Sequence, residues 1–124
     1  MEHSGNVLAF MGDAYLSVQV RDYLISLGMT NLNKLQKAST HFVSATAQAK
    51  FVHWLLDEAL LSDQELTAFK RGRNAKSTSV AKNADVLDYR MATGLEALWG
   101  MLYFEGQFER LDELFNYYKQ EVNL

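Results

Sequence analysis

The stretch VLAFMGDAYLSVQVRDYLISL, residues 7–27, decides the fold class. Its apolar residues recur at helical spacing, with Val7, Met11, Ala14, Val18 and Ile25 near one stripe, and no strand-like alternation runs through it. Gly28 follows as a stop, because glycine takes up the left-handed backbone that ends many helices at no steric cost. A first helix over 7–27 is expected.

Working outward, the same grammar repeats. A short helix fits Leu32 to His41, and Ser44 can cap a third that runs through Phe51, Trp54, Leu55 and Ala59. Ser62-Asp63-Gln64-Glu65 has the form of a capping box, in which hydroxyl and carboxylate each satisfy an exposed backbone donor. That fourth helix should run out near Arg71-Gly72-Arg73, with a loop over 74–83. Asn83 or Asp85 can cap a long apolar helix through Val86, Tyr89, Ala92, Leu95, Leu98, Leu102 and Tyr103, ended by Gly106, and Phe108 to Val122 closes the chain. The expected architecture is an all-α bundle without a sheet.

At 124 residues the chain is long enough for one core that buries roughly two-thirds of its unfolded surface. Its 48% hydrophobic and 22% charged residues place it with soluble globular domains, away from disordered chains. With no cysteine, neither a disulfide framework nor a thiolate metal site can form, which is compatible with a reducing cytoplasm. There is no secretory leader pattern and no run of 18 apolar residues, so no membrane role is expected; cytoplasm is the expected compartment, with an organellar stroma as the secondary alternative.

Two acids stand out. Asp13 has Ala9, Phe10, Leu16 and Ser17 as its helical neighbours, and Glu96 has Ala92, Thr93, Trp99 and Gly100. A carboxylate in apolar company must find a cation, accept hydrogen bonds or take up a proton. Magnesium, which keeps several waters and commonly takes only one or two protein carboxylates, is one answer. An ion pair with Arg21 or Arg90 is another, and by spacing alone it is the commoner outcome.

The formal charge of −3 conceals a basic segment. Lys70, Arg71, Arg73, Lys76 and Lys82 fall in Leu66–Ala84, which holds no acid. Arginine forks, the backbone around Gly72 and Ser77, and the Asn74 amide suit phosphate oxygens, so a polyanion is the natural partner; a solvated loop or a basic sorting signal is the plainer alternative. The run lacks the lysine directly after a last glycine that a nucleotide-phosphate loop requires, which disfavours nucleotide hydrolysis. His3, His41 and His53 show no metal-ligand spacing, and Trp54, Trp99 and the tyrosines fall at core-compatible positions.

These residues fit a known pattern. Phe10-Met11-Gly12-Asp13-Ala14 resembles the first motif of the ribonuclease III family, Phe-Leu-Gly-Asp-Ala, and Leu95-Glu96-Ala97-Leu98 resembles the second. Thr40, Phe42-Val43-Ser44-Ala45, Ala47-Gln48-Ala49, Arg71-Gly72-Arg73-Asn74-Ala75-Lys76-Ser77 and Lys82-Asn83 are similar to the short branch, Mini-ribonuclease III. The resemblance implies a single helical catalytic domain over 1–124, a homodimer, magnesium held by Asp13 and Glu96, and hydrolysis of double-stranded RNA to 5′-phosphate and 3′-hydroxyl ends. In bacteria it further implies maturation of the large-subunit ribosomal RNA precursor.

The longer ribonuclease III pattern has acids where this chain has Ala9 and Thr93, and a further glutamate where it has Asn6. Half of the four-acid cluster is therefore absent, as in the short branch. No separate double-stranded RNA-binding domain is expected, so Lys70, Arg71, Arg73, Asn74, Lys76, Ser77 and Lys82 become the expected RNA clamp, reading shape, phosphates and 2′-hydroxyls. The rival reading is a non-catalytic helical RNA-binding or ribosome-associated dimer with the same fold. A plain protein-interaction bundle is the third.

Overall fold

The computed structural model describes residues 3–76 and 85–122. Within them the chain forms six helices, α1 (Gly5–Ser26), α2 (Leu32–Phe42), α3 (Ala45–Asp57), α4 (Asp63–Arg73), α5 (Val86–Phe104) and α6 (Phe108–Val122), and no strand. Each start follows from a local side chain. Ser4, Asn31, Ser44, Ser62 and Asp85 accept hydrogen bonds from the backbone N–H groups of Val7, Lys34, Ala47, Glu65 and Leu87. The box at Ser62 is complete, since the Glu65 carboxylate accepts from the Ser62 N–H at 2.9 Å. Of the two expected caps for α5, Asp85 is the one used; Asn83 lies outside the described residues. Helix α3 stops at Asp57, two residues short of the expected Ala59.

Helix α5 is the axis of the bundle, touching α1, α3, α4 and α6. Leu95, Leu98, Trp99, Met101 and Leu102 on it are buried, which explains why its sequence is apolar nearly all round. Trp99 resolves its one polar atom by donating to Gln19 Oε1 at 2.7 Å, and Gln19 in turn donates to the Leu111 carbonyl of α6. Phe42, Phe51 and Tyr118 pack around the same centre, with Phe51 meeting Tyr118 edge-on at 4.9 Å. Trp54 packs against this core from its margin, so both tryptophans serve packing.

The face that α1 turns inward differs from the stripe read from its sequence. Leu8, Leu16, Val20 and Leu24 are buried, whereas Val7, Val18 (61% exposed) and Ile25 (59%) look outward beside Phe10, which is 81% exposed. The helix is apolar on two sides, and spacing alone could not say which side meets α5. No helix among the described residues is long and apolar enough to cross a membrane.

Small residues set how closely the helices approach. A Cβ at Gly12 would lie 1.7 Å from the Glu96 carbonyl oxygen, and one at Gly100 would lie 1.9 Å from that of Leu8, so α1 and α5 cross backbone to backbone. Gly72 does the same for α4, where a Cβ would meet Ala97 Cβ at 2.5 Å. These crossings bring the start of α1, the end of α4 and the middle of α5 to one end of the bundle.

Candidate active site

The Gly12–Gly100 crossing places Asp13, the residue after Gly12, against Glu96 on α5. Asp13 is exposed at the mouth, and its carboxyl is within hydrogen-bonding reach of the Glu96 carboxyl, which is set deeper. Burial pushes Glu96 up to about 8, and the neighbouring Asp13 charge adds to it, against a hydrogen bond from Gln48 that works the other way. Without a cation, Glu96 is thereby pushed toward its protonated form.

Neither acid has an arginine partner among the described residues, where the ion pairs are those of Arg110 with Glu65 and with Glu113. The expected pairing with Arg21 or Arg90 does not occur there. Nor does a third histidine or acid join Asp13 and Glu96 among the described residues. Ala9 is buried, and the Thr93 hydroxyl donates to the Tyr89 carbonyl at 2.9 Å, so neither extends the acidic set. Two oxygen-donor side chains without an arginine or lysine partner among the described residues, one of which would give up its proton on binding, fit a divalent ion that retains most of its water. They would not fit a fully protein-coordinated metal.

Behind Glu96 lies a residue to which the sequence reading gave no role. Gln48, buried on α3, donates through Nε2 to Glu96 Oε2 at 3.1 Å and to the Val43 carbonyl at 3.0 Å. Its visible signals were its place in the Ala47-Gln48-Ala49 resemblance and an amide among the apolar residues of α3. Tyr118 completes the wall by donating to the Phe42 carbonyl at 2.5 Å; burial, with a smaller contribution from Glu96, pushes its hydroxyl up.

The basic segment is distributed around a neighbouring cleft of about 360 Å³ between the start of α1, the end of α4 and the start of α5. Arg73, Asn74 and Lys76 line it, together with Asn6, Tyr89, Arg90 and Thr93. Asn6 donates to the Lys76 carbonyl at 3.0 Å, and Arg71 donates to the His3 carbonyl at 2.9 Å, so the segment leaving α4 is fastened to the start of α1. Arg73 rests over the Phe69 ring and donates to Asn74. Lys70 is exposed on α4 outside the cleft. Arg90, read from sequence only as an ion-pair candidate, adds a cation to this wall. Ser77 and Lys82 lie outside the described residues.

Residues 6–107 match the Ribonuclease III domain. The chain is 49% identical to Mini-ribonuclease 3 of Enterococcus faecalis over 119 residues, covering 96% of this chain and 90% of that one. It is 46% identical to Mini-ribonuclease 3 of Streptococcus pneumoniae over 119 residues (96% and 93%) and 52% identical to that of Brevibacillus brevis over 108 residues (87% and 79%). A crystal structure of a protein from Fusobacterium nucleatum superimposes with a TM-score of 0.84 at 28% identity, covering 93% of this chain and 92% of that one.

Proposed function

Since the chain belongs to the ribonuclease III family, in its Mini-ribonuclease 3 branch, and is thereby an endoribonuclease, we propose that it hydrolyses double-stranded RNA with magnesium held by Asp13 and Glu96. The observation that carries this reading is the meeting of two acids from α1 and α5, with no ion-pair partner among the described residues and Glu96 pushed up to about 8. A group so perturbed is poised to exchange its proton for a cation. When bound there, magnesium supplies an activated water and charge stabilisation at the scissile phosphate. Water adds to phosphorus, the bond to the 3′-oxygen breaks, and the products carry 5′-phosphate and 3′-hydroxyl ends.

Duplex RNA is gripped by the segment beside the acids. Lys70, Arg71, Arg73, Asn74 and Lys76 supply phosphate contacts, and Ser77 and Lys82 extend the clamp. Two strands require two sites, so the working unit is a homodimer. The outward stripe of Val7, Phe10, Val18 and Ile25 is the surface that supports it, because a monomer gains nothing from presenting such a stripe to water. In a bacterial cytoplasm the substrate is a structured ribosomal RNA precursor of the large subunit.

The test is cleavage of a structured duplex in magnesium by the wild type and by folded Asp13→Asn and Glu96→Gln variants. Loss of cutting in both, with duplex binding in calcium preserved, is expected; undiminished cutting by either removes that residue from the chemistry. A protein that binds duplex in calcium and cuts in neither ion would instead be the non-catalytic dimer. Sequencing the RNA ends that accumulate when the protein is depleted identifies the substrate and the cut position together.

A further inference from the structure

The geometry points to Gln48 as the positioning residue of the acidic pair: its Nε2 fixes the Glu96 carboxylate, and its Oε1 accepts a hydrogen bond from water hydrating the metal. This rests on the reading of Asp13 and Glu96 as metal ligands. Both groups that Nε2 meets, Glu96 Oε2 and the Val43 carbonyl, are acceptors, so the amide can sit only one way round. One bond anchors the amide to the turn between α2 and α3, and the other orients the carboxylate, which is how a helix on the far side of the core fixes a ligand on α5.

That arrangement leaves Gln48 Oε1 as the one buried side-chain polar atom without a partner among the described residues. An unanswered buried acceptor is destabilising. Packing and the two Nε2 bonds therefore do not account for Oε1. A hydrated divalent ion on Glu96 does, because its waters are donors and Oε1 belongs to the amide that already touches this carboxylate.

Replacing Gln48 with methionine keeps length and removes both functions, and Gln48→Leu is a second variant in case methionine repacks. The full chain is titrated with Mn2+ alone, read by electron paramagnetic resonance, beside melting in EDTA and cleavage at varied magnesium and duplex. The expected result is Mn2+ affinity and magnesium half-saturation weaker by about 10- to 100-fold. The melting temperature should fall modestly, because the Val43 carbonyl loses its donor, while the KM for duplex stays unchanged. Wild-type Mn2+ affinity in a folded variant overturns the proposal, as does an activity loss that merely tracks a lowered melting temperature. If wild type binds Mn2+ no better than the Asp13→Asn, Glu96→Gln double variant, the metal reading of the pair falls, which is a different result from failure at Gln48 alone.

Discussion

Substituting Gly12 with alanine tests whether the site is made by a helix crossing. The added Cβ would stand 1.7 Å from the Glu96 carbonyl oxygen, 2.7 Å from its carbon and 2.8 Å from the Gly100 nitrogen, where ordinary contact begins at about 3.4 Å. Every obstructing atom is backbone, so no rotamer change relieves the clash and α1 must withdraw from α5 by more than an ångström. Overpacking of this kind costs about 3 kcal/mol, the upper end of its usual range. A displacement of ~1 Å between catalytic groups lowers rate by about 100-fold. Gly72→Ala is the comparison, because it also overpacks α5, meeting Ala97 Cβ at 2.5 Å and the Thr93 carbonyl at 2.6 Å, but it does so from α4 and away from the Gly12–Glu96 contact; cleavage is read at saturating duplex, since Gly72 lines the cleft. Urea melts give the stability loss of each variant, and duplex cleavage is compared at a temperature where both remain folded. Gly12→Ala should lose far more cleavage than Gly72→Ala. Equal losses, or near-wild-type cutting by Gly12→Ala, would refute the claim that the crossing sets the carboxylate geometry.

Three other outcomes follow from the same coordinates. Because folding raises Glu96 from 4.5 to about 8, the folded chain binds the extra proton between those values, and metal-free stability should fall as pH rises through that window; Glu96→Gln should flatten the fall in melts run in EDTA, and a slope unaffected by the substitution would contradict the assignment. Phe10→Asp, at an 81% exposed position, should leave the circular dichroism unchanged while light scattering reports a monomer and duplex cleavage drops; a dimer of unchanged mass would move the interface elsewhere. Arg110→Met should cost about 2–3 kcal/mol at pH 7, between the values for exposed and buried pairs, because it strands Glu65. Burial would raise Glu65, but the Arg110 guanidinium and the Ser62 backbone hold it below its usual range, so this cost should vanish as pH falls below about 4.5.

The helices were legible because their signals are local. Ser44, the Ser62–Glu65 box, Gly28 and Gly106 each act within a few residues, and all four operate where the sequence put them. Which face of α1 meets the core was not legible, since Leu8, Leu16, Val20 and Leu24 compete with Val7, Phe10, Val18 and Ile25 at the same period. The two acids were recognisable as an unusual type in apolar company, but their meeting depends on Gly12 and Gly100, residues on different helices whose juxtaposition no periodicity encodes. The role of Gln48 was not legible for the same reason: Ala47-Gln48-Ala49 stood out only as part of a family resemblance, and the amide's partner lies 48 positions away.

The contrast between Glu65 and Glu96 is what separates structure from chemistry in this chain. Both are glutamates on helices, withdrawn from solvent and hydrogen-bonded by a side chain on another helix. Glu65 is answered completely: Ser62 caps it, Arg110 grips both its oxygens, and its carboxyl is held below the usual range. Glu96 has a neutral amide and a second acid for company and is pushed the opposite way. A fold that needed only a buried acid could have supplied Glu96 with an arginine as it supplied Glu65. If Asp13 and Glu96 hold magnesium as proposed, a cation brought from outside makes up the difference, and it can do so only where no cation of the protein already answers the acid.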